Sequence, residues 1–263
     1  MKYNYKKTDI SFRERGAGKA VILVHGFLEN QKMWDEVIEV LKEDHRVLTL
    51  DLLGHGNSDG LCDVHTMEQQ AMVINDLMNR HKIIKATLIG HSMGGYISLA
   101  FAEMFPEKLA GLGLLNSHPF ADNEEKKESR DRAVKTVQRH YEAYVKAAIP
   151  SFFAPDNREK YKKVIDQLVA EALQMTPENI IAALKGMKLR KDRSQLFCQN
   201  QNYPKLWIVG KKDPLIDLDR IRDLSLDCKG TDYIELGQGH MSYVENKKEM
   251  PAVIKRFLQR NDL

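Results

Sequence analysis

Short apolar runs alternate with helical patterns along the first half of the chain. Residues 20–24 form a continuous apolar run of strand length, which is typical of a strand buried on both faces of a sheet, and residues 46–50 and 109–115 predict further strands. Residues 33–41 place apolar side chains at helical spacing, and residues 66–81 predict a second helix with a threonine cap. This alternation predicts a mostly parallel sheet with helices on both faces.

Further strands are predicted on either side of this region. Residues 9–15 predict an antiparallel strand at the edge of the sheet. Strand-type sequence returns at residues 205–209 and, more weakly, at residues 233–236, and residues 251–258 predict an amphipathic closing helix. The fold class expected from the whole pattern is α/β.

The segment in between has a different composition. Residues 121–191 are charged, follow a helical period and contain no convincing strand, and prolines divide them into about three helices, at positions 150, 155 and 177. We therefore expect a helical insertion that lies over the sheet. In this division, residues 1–117 and 203–263 form the core, and residues 118–202 form a helical cap.

Composition and charge limit the classes of function. With 43% hydrophobic and 29% charged residues, the 263-residue chain has an ordinary globular mix, enough for one α/β domain with an insertion. The net charge of +3 is spread along the chain, so nothing favours nucleic acid as a partner. The sequence contains neither a run of about 18 apolar residues nor an apolar leader, so we expect no membrane partner and a cytoplasmic location. The three cysteines lack C-x-x-C spacing, which favours a reducing compartment and argues against a disulfide framework or a zinc site.

The sequence GHSMG at positions 90–94 joins an apolar run to a helical pattern. This G-x-S-x-G arrangement between a strand and a helix is typical of a nucleophile elbow, a sharp turn with a serine at its apex. Ser92 needs a strained backbone there, and Gly90 and Gly94 remove side chains that would collide with the strand and the helix. The alternative interpretation is a glycine-rich helix start with a serine cap.

A nucleophilic serine needs a base and a group that orients the base. Asp213 follows the predicted strand at 205–209, and His240 follows the one at 233–236. Because the carboxyl ends of parallel strands meet at one rim of an open sheet, we expect Ser92, Asp213 and His240 to lie together. Asp213 also fits an ordinary turn before a proline, and His240 an ordinary loop position.

Five short motifs give the chain a resemblance to a known family. They are HGF at 25–27, DLLGHGNS at 51–58, GHSMGG at 90–95, GKKD at 210–213 and GH at 239–240. In this order they resemble the α/β-hydrolase fold proteins of the single-domain esterase, lactonase and C–C hydrolase type, whose triad also runs Ser, Asp, His. The resemblance spans the chain nearly end to end, except for the predicted cap.

The resemblance implies a role for each of the matching residues. Ser92 would be the nucleophile and His240 the general base and then the general acid. Asp213 would hold the imidazole N–H and stabilise the imidazolium. The backbone N–H groups of Phe27 and Met93 would form the oxyanion hole. No metal or organic cofactor is implied.

The same resemblance implies no catalytic role for three further residues near these motifs. His55 and His91 would be structural neighbours of the loop and the elbow. The family's alternative position for the acid holds Asn116 here, which favours Asp213.

The type of nucleophile limits the class of reaction. Dehalogenases and epoxide hydrolases of this fold need a carboxylate nucleophile, so Ser92 favours hydrolysis of a small carboxylic ester or lactone through an acyl-enzyme. The same triad serves as a base in relatives that cleave C–C bonds and in the menaquinone-pathway synthase, and arginines in the cap permit that alternative, at positions 130, 132 and 139. A third class is a ligand-binding member without catalysis. The expected partner is a small molecule, and the sequence does not indicate the oligomeric state.

Overall fold

The computed structural model describes residues 1–199 and 202–263, and their central element is a sheet of eight strands. The strands are β1 (Lys2–Tyr5), β2 (Thr8–Arg15), β3 (Lys19–Val24), β4 (His45–Leu50), β5 (Ala86–His91), β6 (Leu109–Leu115), β7 (Lys205–Gly210) and β8 (Thr231–Leu236). Their order across the sheet is β1-β2-β4-β3-β5-β6-β7-β8. The pairs β1–β2 and β2–β4 are antiparallel, and the other neighbours are parallel.

Ten helices surround this sheet in the described part of the chain. They are α1 (Asp35–Leu41), α2 (Met67–Arg80), α3 (Met93–Met104), α4 (Glu124–Ser151), α5 (Lys162–Ala172), α6 (Pro177–Lys188), α7 (Ser194–Cys198), α8 (Leu218–Asp227), α9 (Ser242–Glu245) and α10 (Glu249–Arg260). The predicted fold class, α/β with a mostly parallel sheet, is confirmed. Of the helices described, none has the length and apolar character needed to cross a membrane.

The continuous apolar runs are explained by two apolar layers, one on each face of the sheet. In β3, Ile22 and Val24 belong to the layer that contains α2 and α3, whereas Val21 and Leu23 belong to the layer that contains α1 and α10. Successive side chains of a strand point to opposite faces, so a strand that is covered on both sides is apolar at every position. The loops at the carboxyl ends of such strands are therefore anchored by a rigid core.

The predicted edge strand is not at the edge. Residues 9–15 lie within β2, but β1 pairs with β2 on its outer side and forms the edge itself. No local pattern predicts β1, because its four residues are mostly polar and the hairpin turn lacks glycine or asparagine. Lys6 and Lys7 make that turn with φ values of 50° and 68°, a conformation that usually calls for those residues.

Four helices, α4 to α7, lie between β6 and β7, and their boundaries differ from the proline positions. Pro150 lies inside the last turn of α4 and does not separate two helices. The helix is instead interrupted at His140, where φ is −148° and ψ is 55°. Pro177 does begin a helix, α6, because the first helical position needs no N–H donor.

The expectation that the cysteines form no disulfide is wrong. Cys198 in α7 and Cys228 directly after α8 form a disulfide, although 30 positions separate them in the sequence. Sequence spacing did not indicate this pair because it depends on the packing of α7 against α8. The cysteine pattern therefore no longer supports a reducing compartment. Cys62 is free and exposed.

This pairing predicts the number of reactive thiols. Protein purified without reductant and then denatured is expected to react with a thiol reagent at Cys62 alone, and at all three cysteines after reduction. A Cys62→Ser variant serves as the control and is expected to show no thiol before reduction. Three reactive thiols in the unreduced protein would contradict the disulfide.

Candidate active site

Ser92 lies at the sharp turn between β5 and α3. Its backbone has φ 49° and ψ −114°, a strained conformation for a residue with a side chain. Two hydrogen bonds hold the turn: the Ser92 N–H donates to the Leu115 carbonyl at 2.9 Å, and the Ser117 hydroxyl donates to the Ser92 carbonyl at 2.8 Å. The end of β6 therefore supports the turn from beside it.

The two flanking glycines are required by close backbone contacts. A Cβ atom at Gly90 would lie 2.2 Å from the Gly94 carbonyl oxygen, and a Cβ atom at Gly94 would lie 2.2 Å from the Val24 carbonyl oxygen. Both distances are far below van der Waals contact. The steric reason predicted for the G-x-S-x-G spacing agrees with this geometry.

Asp213 and His240 meet at the carboxyl ends of β7 and β8. His240 Nδ1 donates to Asp213 Oδ2 at 2.7 Å, and the same carboxylate accepts hydrogen bonds from the Asn116 side chain at 3.0 Å and the Leu215 N–H at 2.9 Å. Burial of this carboxyl would raise its pKa, but the His240 interaction and the other two donors outweigh burial and lower the pKa of Asp213. The carboxylate is therefore ionised near neutral pH.

The hydrogen bond to Asp213 determines which nitrogen of His240 can act as a base. Since Nδ1 carries the hydrogen that Asp213 accepts, Nε2 of the neutral ring keeps its lone pair. His240 and Ser92 line the same cavity, which has a volume of about 580 Å³. Their side chains are not hydrogen-bonded to each other in the described structure, and such bonds often tighten only when substrate binds.

Two backbone donors beside Ser92 have no acceptor in the described part of the protein. They are the N–H groups of Phe27, which lines the cavity, and Met93, the first residue of α3. A free N–H at a helix N-terminus carries partial positive charge. The two groups can therefore donate to a negatively charged oxygen that forms next to Ser92.

A buried ion pair lies behind the elbow. His91 has an acceptor at each ring nitrogen: Glu29 Oε2 lies 2.9 Å from Nδ1, and the His240 carbonyl oxygen lies 2.9 Å from Nε2. Both nitrogens must carry hydrogen to satisfy both acceptors, so His91 is an imidazolium. Burial alone would lower its pKa, but the Glu29 charge and hydrogen bond outweigh burial and raise the pKa of His91.

The same ion pair reaches the loop that carries Phe27. Glu29 Oε2 also accepts the Gly26 N–H at 2.6 Å, so Glu29 connects this loop through His91 to the loop of His240. Sequence reasoning described His91 as a structural neighbour and missed Glu29 altogether. No spacing in the sequence relates two residues 62 positions apart, so no local signal marks this pair.

Two other histidines near the site are neutral and support loops. His25 Nε2 accepts the Leu52 N–H at 3.0 Å, and burial lowers the pKa of His25. His55 contacts the Leu53 carbonyl at 3.1 Å, and burial, with a smaller contribution from nearby His25, lowers the pKa of His55 to about 3. His55 does not line the cavity, so its contacts agree with a structural role.

The remaining cavity walls come from α3, α4, α6, α8 and the loops around them. Of the three arginines noted in the sequence, Arg130 lines the cavity, whereas Arg132 pairs with Glu128 on the exposed surface of α4 at 3.7 Å. Arg190 and Arg220, which sequence reasoning did not single out, also line the cavity.

Comparison with known proteins identifies the family. The sequence profile of the alpha/beta hydrolase fold family matches residues 19–157, more than half of the chain. The chain therefore belongs to the alpha/beta hydrolase fold family, as its motifs predicted. Three uncharacterized mycobacterial proteins are 35% identical over 107 residues, and the aligned segment spans only 31% of their length.

Relatives that match most of the chain include an esterase, a lactonase and a synthase. A thermophilic esterase from Thermogutta terrifontis has a TM-score of 0.90 and 29% identity, covering 97% of this chain and 94% of its own. The enol-lactonase from Burkholderia xenovorans LB400 has a TM-score of 0.90 over 98% of this chain and 100% of its own; at 22% identity this likeness concerns the fold alone. A 2-succinyl-6-hydroxy-2,4-cyclohexadiene-1-carboxylate synthase of Enterobacter sp. (strain 638) is 22% identical, covering 91% of both chains.

The ion pair of Glu29 and His91 predicts a pH dependence of stability. Because the pKa of His91 is raised on folding, its stabilisation is fully present below the unfolded value of about 6.5 and is lost as the pH rises through the folded value. Replacing Glu29 with Gln leaves His91 buried without its counter-charge, which is expected to cost about 3 kcal/mol near pH 6 and less at higher pH. Urea unfolding of the wild-type protein and of Glu29→Gln, near pH 6 and at higher pH, measures the difference in the free energy of unfolding.

The exposed pair of Glu39 and Lys42 provides a matched control, since Glu39→Gln is expected to change stability little at any pH. A loss of unfolding free energy in Glu29→Gln that is the same at every pH would contradict the assignment of His91 as an imidazolium.

Proposed function

We propose that this protein is a serine hydrolase that cleaves a small carboxylic ester or lactone through an acyl-enzyme at Ser92. The observation that carries this proposal is the bond between His240 Nδ1 and the buried Asp213 carboxylate. In the neutral ring this bond makes Nε2 the nitrogen that can accept a proton, in a cavity that Ser92 also lines. The family and the Thermogutta esterase support a hydrolase, and the ester or lactone substrate is part of the proposal.

In the first half of the reaction, the Ser92 oxygen attacks the carbonyl carbon of the substrate. The hydroxyl proton moves to His240 Nε2, and the Asp213 carboxylate stabilises the resulting imidazolium. The carbonyl oxygen becomes negatively charged and receives hydrogen bonds from the N–H groups of Phe27 and Met93, which have no other acceptor among the described residues. The leaving alcohol takes the proton from His240, and the acyl group stays on Ser92.

In the second half, water replaces the alcohol. His240 removes a proton from the water, the hydroxide attacks the acyl carbon, and the same two N–H groups stabilise the second oxyanion. The proton then returns to Ser92 as the carboxylic acid leaves. These steps use no metal or organic cofactor.

The proposal includes a division of the chain. Residues 1–117 and 203–263 would form the hydrolase core, and residues 118–202 a helical cap that shapes the substrate site. The positions of α4 to α7 between β6 and β7 support this division, and so do the contributions of α4 and α6 to the cavity wall.

Turnover of p-nitrophenyl esters of increasing chain length tests the proposal. Ser92→Ala removes the nucleophile and Asp213→Asn removes the charge that stabilises the imidazolium, so each is expected to lower kcat by roughly 10³-fold or more. Matched controls lie on α8, where Ser225→Ala and Asp219→Asn are expected to keep wild-type activity. Ester turnover that survives in Ser92→Ala would overturn the proposal.

A second candidate is C–C bond cleavage or a synthase-like elimination with the same three residues. The cationic side chains of the cavity favour it, since they can hold carboxylates of a diketo acid, and a synthase is among the relatives. Turnover of a diketo acid, with no turnover of any ester by the folded protein, would favour this candidate. Tight ligand binding without any turnover would instead favour a non-catalytic member of the family.

A further inference from the structure

The cavity beside Ser92 has more positive than negative charge in its walls. Three carboxylates line the cavity: Glu29, Asp122 and Asp217. Glu29 pairs with His91, and Asp217 caps α8 by accepting the Arg220 N–H at 3.1 Å. Four cationic side chains line the same cavity: Lys126, Arg130, Arg190 and Arg220. The excess of cations favours an anionic ligand.

Two of these four cations have no ion-pair partner in the described part of the chain. The Asp122 carboxylate forms ion pairs with both Arg130 and Arg190, the latter at 2.7 Å. No carboxylate lies within ion-pair distance of the side chains of Lys126 and Arg220 among residues 1–199 and 202–263.

Arg220 is held in a defined position by an aromatic ring. Its guanidinium carbon lies 3.8 Å from the centre of the Phe120 ring, and the Phe120 ring lies 5.4 Å from that of His118. A guanidinium that stacks on a ring keeps its N–H groups free at the edge, where they can bind both oxygens of a carboxylate. The stack therefore orients Arg220 for such a ligand before it binds.

His118 lies in the same wall and has one ring nitrogen without a partner among the described residues. Its Nδ1 is buried and has no hydrogen-bond partner among the described residues, while Nε2 lies 3.4 Å from the Tyr96 hydroxyl. Burial, followed by the charge of Arg190, lowers the pKa of His118 to about 3, so the ring is neutral. His118 therefore contacts the same cavity as Arg220 and Phe120 through a neutral ring. The adjacent Ser117 bonds to the Ser92 carbonyl, which places this contact beside the elbow.

We propose that the substrate is an ester or lactone that also carries a carboxylate, and that Arg220 and Lys126 bind this carboxylate with His118 beside them. The inference rests on the proposed function, because it assigns the reacting carbonyl of the same molecule to Ser92. It adds the class of substrate: a monoester of a dicarboxylic acid, or a lactone with a free carboxylate.

Matched esters test this preference. Monomethyl succinate, glutarate and adipate are compared with methyl butyrate, valerate and hexanoate, which replace the free carboxylate by a methyl group at equal chain length. We expect kcat/KM to be about tenfold higher for the anionic ester of the favoured length, as for a hydrogen bond to a charged group. Raising the salt concentration is expected to reduce the advantage, because both cations are partly exposed to solvent.

Variants locate the preference in the cavity wall. Arg220→Ala and Lys126→Ala are each expected to lower kcat/KM several-fold more for the anionic ester than for the neutral ester. Arg220→Lys keeps the charge and is expected to lose less. The control is Lys135→Ala, since Lys135 lies on α4 like Lys126, is also exposed and does not line the cavity. An equal effect of Arg220→Ala on both esters would overturn the inference.

Calorimetric titration of monomethyl glutarate into Ser92→Ala separates this inference from the proposed function. If no ester is hydrolysed but the monoester binds and Arg220→Ala removes the binding, the hydrolase proposal fails and the carboxylate site stands. If esters are hydrolysed through Ser92 with no preference for the anionic member, the hydrolase proposal stands and the carboxylate site is overturned. If the protein neither hydrolyses any ester nor binds the monoester, both proposals are overturned.

Discussion

The backbone conformation of Ser92 is the constraint on which the rest of the site depends. A positive φ at a residue with a side chain costs free energy, and it persists only where the surrounding structure leaves no alternative. Here the carbonyl of Val24 at the end of β3 lies so close to Gly94 that only glycine fits between them. Because β3 is buried on both faces, this contact cannot relax, and the turn between β5 and α3 keeps its strained conformation.

The two buried carboxylates near the turn at Ser92 are stabilised in the same way. Glu29 and Asp213 each have a histidine as their partner, and each also accepts a backbone N–H. A buried carboxylate without such partners would be expensive, so both arrangements are rigid. The two pairs are also connected, since His91 donates to the carbonyl of His240. The position of His240 is thus coupled to the loop that carries Phe27.

Much of this architecture could be predicted from local sequence. Strand-type sequence located seven of the eight strands, and the loops after two of them carry Asp213 and His240, which lie together in the structure. These predictions succeeded because strand burial and the turn at Ser92 impose short-range patterns on the chain. The strained glycine contacts were likewise visible as a spacing of residue types.

Features that depend on three-dimensional packing left no such pattern. Glu29 and His91 meet through the arrangement of β3 beside β5, and no periodicity relates them. The break of α4 at His140 occurs without proline or glycine, so nothing in the local sequence marks it. The same is true of Arg220, whose stacking on Phe120 joins the start of α8 to the loop before α4. Sequence therefore indicated the reacting groups more completely than the walls around them.

In the proposed reaction a covalent acyl group forms on Ser92, so the location of that group decides whether the reaction takes this course. The protein is mixed with an activated ester, quenched with acid within the first turnover and digested, and the acyl mass is located by mass spectrometry. We expect one acyl group per chain, on the peptide that contains Ser92, and none in protein that is denatured before mixing. Hydrolysis of the ester without any acyl group on Ser92, or with the group on another residue, would contradict it.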